Sequence, residues 1–186
     1  MQIRPATAKD LEALREIDGT IESLQYLHVE ASGEGFERAW RIEQRPLRQK
    51  LIEPNRLDDD AYFAAKQIVT NADDGTVLVA EHEDDIVALL IAQPRPQFRT
   101  LHIIDLRIDY DLRREGIGTA LVFQMIQQAR ESELRAVSMQ TLTNNLPGAN
   151  LLIKCGFELS GIDVRHRTNH DMVKEAATLF WYAALD

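Results

Sequence analysis

Three apolar segments in a row, TVLVAEH, DIVALLIAQ and TLHIIDLRI, run into the turn DYDLRREGIG and then a helical stretch, and this succession constrains the chain more than any other feature. Each segment is short and rich in Val, Ile and Leu. Turn residues bound them, EDD after the first and the proline-marked PRPQ after the second, so the pattern predicts a β-meander. From Gly116 the period changes. Ile117, Leu121 and Met125 fall at i, i+4 and i+8 with Ala120 and Ala129 beside them, so a long helix begins at the glycines.

The flanking segments extend this core. QIRPA predicts a short strand, and TAKDLEALREID a helix opened by Thr7 with Asp10 three residues on, its apolar side made by Leu11, Leu14 and Ile17. SLQYLHVEAS and FERAWRIEQRPL on either side of GEG predict two strands and a turn. DDDAYFAAKQIV predicts a helix with aspartates at its positive end. Downstream, RAVSMQTL reads as a strand, PGANLLIKCG as a short helix between Pro147 and Gly156, and FELSGIDVRHR and EAATLFWYAAL as two closing strands. No repeat, linker or low-complexity tract interrupts the 186 residues, a length suited to one domain.

Composition excludes several classes of function. Hydrophobic residues are 45% and charged residues 27%, ordinary globular usage. The single cysteine, Cys155, cannot form an internal bridge, and it sits at a helix end in KCGF without a His/Asp partner spacing, so it is expected to pack rather than attack. No apolar run reaches the roughly 18 residues of a membrane span, and MQIRPATAKD lacks the apolar stretch of a signal peptide; the expectation is a cytoplasmic protein with no membrane partner. A net charge of −9 repels a phosphate backbone, so nucleic acid is not an expected partner, while a cationic small molecule would be attracted. His166 and His170 are four apart but straddle a strand-to-loop stretch, and no metal is expected. Tyr26, Phe36 and Trp40 are expected to pack or to line an acceptor pocket rather than stack on bases.

The glycine turn carries the chemistry. A helix start offers unpaired N–H groups and a partial positive charge, glycine lets those amides converge on an anion, and Arg113 and Arg114 add full charges beside them. A dinucleotide fingerprint would need a third glycine where Leu121 stands, and a P-loop would need Gly-Lys-Ser/Thr; neither is present, which points to a phosphate group of another kind.

RREGIG resembles the R/Q-x-x-G-x-G/A motif of the GCN5-related N-acetyltransferase (GNAT) family, with Arg113, Gly116 and Gly118 in its three defining places. NNLPGANLLIKCGFE is similar to the family's second signature, with Asn145, Lys154, Gly156 and Phe157 in register. The order of strands and helices agrees along nearly the whole chain. IESLQYLHVE…FERAWRIEQRPL, CGFELSGID and ATLFWYAAL resemble the streptothricin acetyltransferase-like branch.

The resemblance implies an α/β (α+β) fold: one domain with a mixed, mostly antiparallel central sheet and helices on both faces. It would divide into an acceptor-side segment over 1–75, an acetyl-CoA-binding core over 76–158 and closing strands over 157–186. The implied activity is direct transfer of an acetyl group from acetyl-CoA, as co-substrate, to a primary amine of a small molecule in a ternary complex; the alternatives are a non-catalytic acyl-CoA-binding relative and a protein or peptide N-acetyltransferase. A homodimer is compatible with the resemblance.

Residue roles come from the same resemblance. The turn residues Arg113, Arg114, Glu115, Gly116, Ile117, Gly118, Thr119 and Ala120, with Asn145, would hold the pyrophosphate end of the coenzyme. Leu106, Arg107 and Ile108, on a strand end that splays from its neighbour, would contact the acetyl and pantetheine groups through their main chain. Asp105 is the candidate base or water-orienting acceptor; strict alternation would set it beside Ile103 and Arg107, so a salt bridge with Arg107 is the competing account. The tyrosine that serves the family as acid is replaced by Leu152, so either Tyr110, Tyr182 or water protonates the thiolate or its protonation is unassisted, and Gly148 stands where the signature prefers alanine.

Overall fold

A computed structural model describes residues 1–185. In chain order its elements are β1 (Gln2–Pro5), β2 (Ile21–Ser32), β3 (Ala39–Glu53), α1 (Asp59–Val69), β4 (Thr76–His82), β5 (Asp85–Arg95), β6 (Thr100–Ile108), α2 (Ile117–Glu131), β7 (Ala136–Leu142), α3 (Leu146–Lys154), β8 (Glu158–Asp163) and β9 (Thr178–Ala184). Seven strands form one sheet in the order β1-β4-β5-β6-β7-β9-β8, and β2 and β3 form a separate hairpin. Every pairing in the sheet is antiparallel except β6 with β7. The meander expected from the sequence is β4-β5-β6. Among the described residues, no helix is long and apolar enough to cross a membrane.

The apolar run of β5 has no polar side because both its faces are covered. Ala88, Leu90 and Ala92 meet Leu121, Val122, Met125 and Ala129 of α2 and Ala149 and Leu152 of α3. Leu89 and Ile91 on the other face join Leu11, Leu14, Ile17 and the α1 residues Ala61, Ala65 and Ile68. Burying a Leu or Ile side chain contributes roughly 1.5–3 kcal/mol, so these two layers hold the sheet between helices as expected. Ala120 departs from the expected helix face: it is exposed, and Val122 and Ile126 fill the core instead.

The first expected helix is replaced by two short 3-10 turns, Ala8–Asp10 and Ala13–Arg15. Leu11, Leu14 and Ile17 recur every three residues, the repeat of a 3-10 helix rather than of an α-helix. Asp10 is also held from outside, accepting from Arg4 of β1 at 2.8 and 2.9 Å and from the Thr7 amide at 2.7 Å. The β2–β3 hairpin is longer than its sequence signal, and its aromatic residues divide. Tyr26 is buried, but Phe36 at the tip is fully exposed and Trp40 is 41% exposed under the Arg38 guanidinium, so these two neither pack in a core nor line a pocket. β8 stops at Asp163, whose carboxylate accepts from the Arg165 amide and turns the chain.

One irregularity in β6 decides which of its side chains reach the site. Ile91 pairs with Asp105 but Ala92 pairs with Ile103, so Ile104 is an extra residue, a β-bulge. Before the bulge Ile103 faces the α2 core; after it Leu106 and Ile108 do. Asp105 and Arg107 are thereby turned to the opposite face, across from Ile91 and Leu89, away from the side of Ile103 that strict alternation would give Asp105.

Candidate active site

The parallel pairing of β6 with β7 runs only from Thr100↔Ala136 to Ile103↔Met139. Beyond the bulge β6 continues to Ile108 while β7 stays with β9, so the β7-facing edge of β6 has no strand partner from Ile104 onward. A cleft of about 760 Å³ opens in this gap. Leu106 and Ile108 line one side, Met139, Gln140 and Thr141 the other, and Ile21 and Glu22 of the hairpin root also line it.

The glycine turn lies beside the hairpin root, linked to it through Tyr110, which contacts both Glu22 and Arg113. Asp109 accepts from the Asp111 amide and starts a short 3-10 turn over Tyr110–Leu112. The Arg113 guanidinium folds back onto the Ile108 carbonyl, Nε and Nη2 both at 3.3 Å, and lies 5.3 Å from the centre of the Tyr110 ring. Arg114 (φ 68°) and Gly116 (φ 84°) are both left-handed, which turns the chain sharply into α2. The first intrahelical bond runs from the Ala120 amide to the Gly116 carbonyl, so the amides of Ile117, Gly118 and Thr119 precede the hydrogen-bond ladder. A left-handed turn ahead of such amides forms a concave anion site. Gly118 serves packing instead. A Cβ there would stand 3.0 Å from both Ile108 Cδ1 and Leu151 Cδ2, so its absence lets α2 approach β6 and α3 closely.

Of the positions expected to hold a coenzyme, Leu106, Arg107, Ile108, Arg113, Arg114, Gly116, Ile117, Gly118, Thr119 and Asn145 line this cleft. Glu115 and Ala120 do not: Glu115 points its charge to solvent, and the Ala120 amide is spent on the first turn of α2. Asn145 uses its side-chain oxygen to cap α3, accepting from the Gly148 amide at 3.1 Å. A Cβ on Gly148 would come within 2.8 Å of that side chain, which accounts for glycine where the signature prefers alanine.

The expected proton-handling groups are distributed differently. Asp105 does not line the cleft, because the bulge turns it away, and both its oxygens accept from Arg107, Oδ1 from Nε and Oδ2 from Nη2 at 2.7 Å each. The salt-bridge account of Asp105 therefore describes the structure. Tyr182 lies on β9 next in line to the buried Trp181, on the face opposite to it, and does not reach the cleft. Leu152 lies in the core with its side chain also at the cleft wall.

Tyr110 does line the cleft, and its hydroxyl donates to Glu22, a residue that no local pattern had marked. Glu22 also pairs with Lys50 of β3. Lys50 and then Tyr110 hold the Glu22 carboxyl below its ordinary range, and Glu22 in return pushes the Tyr110 hydroxyl up, so that proton is kept at neutral pH. Gly19 and Asn55, just outside the two strands of the hairpin, line the same end. Their only trace in the sequence is that they flank β2 and β3.

Cys155 is buried behind the cleft, and burial pushes its thiol up against the opposing hydrogen bond from Thr119. Such a thiol is a poor nucleophile. His166 packs edge-on against Phe180, 3.4 Å from Asp163, within a turn rather than a helix that would align it with His170.

The arrangement fits a coenzyme with a diphosphate and a long amide arm: left-handed turn and free amides at the start of α2, an open strand edge along β6, and a carboxylate, Glu22, at the hairpin root. Comparison with known proteins agrees. The sequence profile of the acetyltransferase (GNAT) family matches residues 21–157. The streptothricin acetyltransferase of Escherichia coli is 25% identical over 158 residues, spanning 83% of this chain and 79% of its own length. The crystal structure of nourseothricin acetyltransferase superposes with a TM-score of 0.79 at 21% identity, over 100% of this chain and 98% of that one. A Bacillus anthracis (strain Ames) protein assigned as a streptothricin acetyltransferase, crystallised with acetyl coenzyme A, gives 0.75 at 20% identity over 100% and 98%.

Proposed function

The chain belongs to the GNAT acetyltransferase family, in its streptothricin acetyltransferase-like branch, and we propose that it acetylates a primary amine of a small molecule. Acetyl-CoA, the family's donor, supplies an acetyl thioester for attack by the amine. In this reading donor and acceptor are held together and the transfer is direct. What carries it is a single continuous cleft: the glycine turn, the open edge of β6 and Glu22 share one cavity, so a donor and an acceptor bound in it would both reach Leu106–Ile108. Holding two reactants in line is worth roughly 7–11 kcal/mol of the barrier, so positioning is the protein's largest contribution to the rate.

Each wall has a role. The amides of Ile117–Thr119, with Arg113 and Arg114, bind the diphosphate. The free edge of β6 over Leu106–Ile108 offers main-chain donors to the thioester carbonyl, where negative charge grows during attack. Glu22, kept ionised beside Lys50, receives the ammonium group of the acceptor, whose proton passes to water. An alkylamine with an ordinary pKa near 10.4 is largely protonated at neutral pH, so a carboxylate that binds the cation gathers it into the cleft. Tyr110, whose hydroxyl retains its proton beside Glu22, returns one to the thiolate in place of the tyrosine that Leu152 replaces. The cleft volume of about 760 Å³ is that of a small-molecule site, and the hairpin root closes its acceptor end.

Incubating the protein with acetyl-CoA, a thiol reagent and a panel of amines and peptides tests the reading. CoA release with particular small amines is the expected result. Release with peptides alone would reassign the acceptor, and tight acetyl-CoA binding with no release for any acceptor would leave a binding protein.

A further inference from the structure

We propose that Arg107 is a positioning residue for acetyl transfer, its side chain clamping both roots of the β2–β3 hairpin against the donor-binding end of β6. The proposal rests on the acetyltransferase reading of the cleft.

The hairpin supplies the acceptor end of the cleft through Ile21 and Glu22, yet it is a separate two-stranded sheet with no ladder to the main one. Something must hold it in place. Its chain enters past Gly19, two residues before β2, and leaves past Asn55, two residues after β3. Both points meet one guanidinium. Arg107 Nη1 donates to the Asn55 carbonyl at 2.9 Å, and a Cβ on Gly19 would stand 3.1 Å from that same nitrogen and 2.5 Å from the Asn55 oxygen. The two roots are therefore stacked on the Arg107 head with no room for a side chain between them.

The head itself is immobilised. Asp105 takes its other two nitrogens in a bidentate pair at 2.7 Å, and the Arg107 side chain is 3% exposed. A planar fork can satisfy Asp105 on one edge and Asn55 on the other at once; an ammonium on a flexible stem cannot. The bulge at Ile104 makes this possible by bringing Asp105 and Arg107 to the face on which the roots lie, while Leu106 and Ile108 keep facing the α2 core beside the cleft. A single residue thus belongs to the donor strand by its main chain and to the acceptor wall by its side chain. The hairpin has further ties, the Tyr110 hydroxyl to Glu22 and the Asp18 amide to Asp109 at 3.2 Å near the roots and the Leu27 amide to the Thr143 carbonyl at 2.9 Å at the far wall, so loss of the clamp loosens the roots without detaching the hairpin.

The test is Arg107→Lys, with Asp105→Asn as a second variant that keeps the guanidinium but removes its lock. Three quantities are measured: the Kd for acetyl-CoA by calorimetry, kcat and KM for an accepted amine, and amide hydrogen exchange over 19–22 and 53–56. The expected result is a loss in kcat/KM for the amine of tenfold to about 10²-fold, the scale of an ångström-sized misplacement. The acetyl-CoA Kd should stay within twofold, and exchange should quicken at the two roots but not around Leu27. A residue that merely stabilises the fold would not separate amine from coenzyme in this way. Unchanged amine kinetics with unchanged root exchange would overturn the proposal, as would a coenzyme Kd that worsens in step with the amine KM. If the wild-type protein acetylates no amine, the acetyltransferase reading fails instead, and root exchange still decides whether Arg107 clamps the hairpin.

Discussion

Replacing Gly116 by alanine tests the glycine turn at its tightest point. A Cβ at this position meets nothing within 4 Å, so the substitution creates no clash and isolates the backbone effect of φ +84°. The left-handed conformation costs an L-residue about 1–2 kcal/mol, and the stiffer unfolded chain of alanine offsets about 0.4–1 kcal/mol of that. The net loss is about 1 kcal/mol, or roughly 2–4 °C in Tm for a domain of this size. The coenzyme should feel more than this. Relaxing φ swings the amides of Ile117–Thr119 off a common point, and one lost charge-assisted hydrogen bond, about 1.5–3 kcal/mol, weakens acetyl-CoA by roughly 10- to 100-fold. Calorimetric melting and titration with acetyl-CoA measure both effects. Gly116→Asn is the control, because asparagine tolerates the left-handed region better than alanine does. Stability and affinity should therefore rank Gly above Asn above Ala. If alanine matches glycine in both, the turn does not depend on its handedness and the anion site has been misplaced.

Glu22→Gln is expected to raise the KM for a cationic amine by about 10- to 100-fold, since it removes a charged hydrogen bond, and to leave the acetyl-CoA Kd unchanged; equal losses for both substrates would remove Glu22 from the acceptor end. Tyr110→Phe should lower kcat about 10²-fold and flatten the alkaline limb of the pH–rate profile. A wild-type kcat in that variant would take Tyr110 out of proton delivery. Stability should depend on pH through His102, which burial, with Arg95 adding, holds down to about 4 from an ordinary value of 6.5, its Nδ1 3.0 Å from Ser138 Oγ. The folded pKa is depressed, so the unfolded chain takes the proton first: stability is whole above 6.5 and falls as the pH drops toward 4, by about 2 kcal/mol at pH 5. Urea denaturation at pH 7 and pH 5 of the wild type and His102→Asn checks this, and parallel losses in the two proteins would refute it.

Much of this molecule is written locally. The meander, the long helix after Gly116 and the cap of α3 each depend on periodicity or turn chemistry within a dozen residues, so a linear reading reaches them, and with them the left-handed glycine turn at the start of α2. A period of three under Leu11, Leu14 and Ile17 was equally legible, although it builds 3-10 turns rather than the expected helix. The hairpin side of the cleft was not written in this way. One extra residue at Ile104 reverses which face Asp105 and Arg107 occupy, and a bulge depends on pairing with β5 and the absence of pairing with β7, neither of which Ile104 announces by itself. Glu22 and Tyr110 are 88 positions apart, and Arg107 and Asn55 are 52 apart. Contacts at that separation exist only once the sheet has closed. The sequence by itself determined most of the order of elements and the glycine turn, because those arise from interactions between near neighbours in the chain. Only the tertiary structure decided which carboxylate faces the cleft and what the hairpin roots meet, because side-chain direction after a bulge and partners across the fold are properties of the assembled sheet.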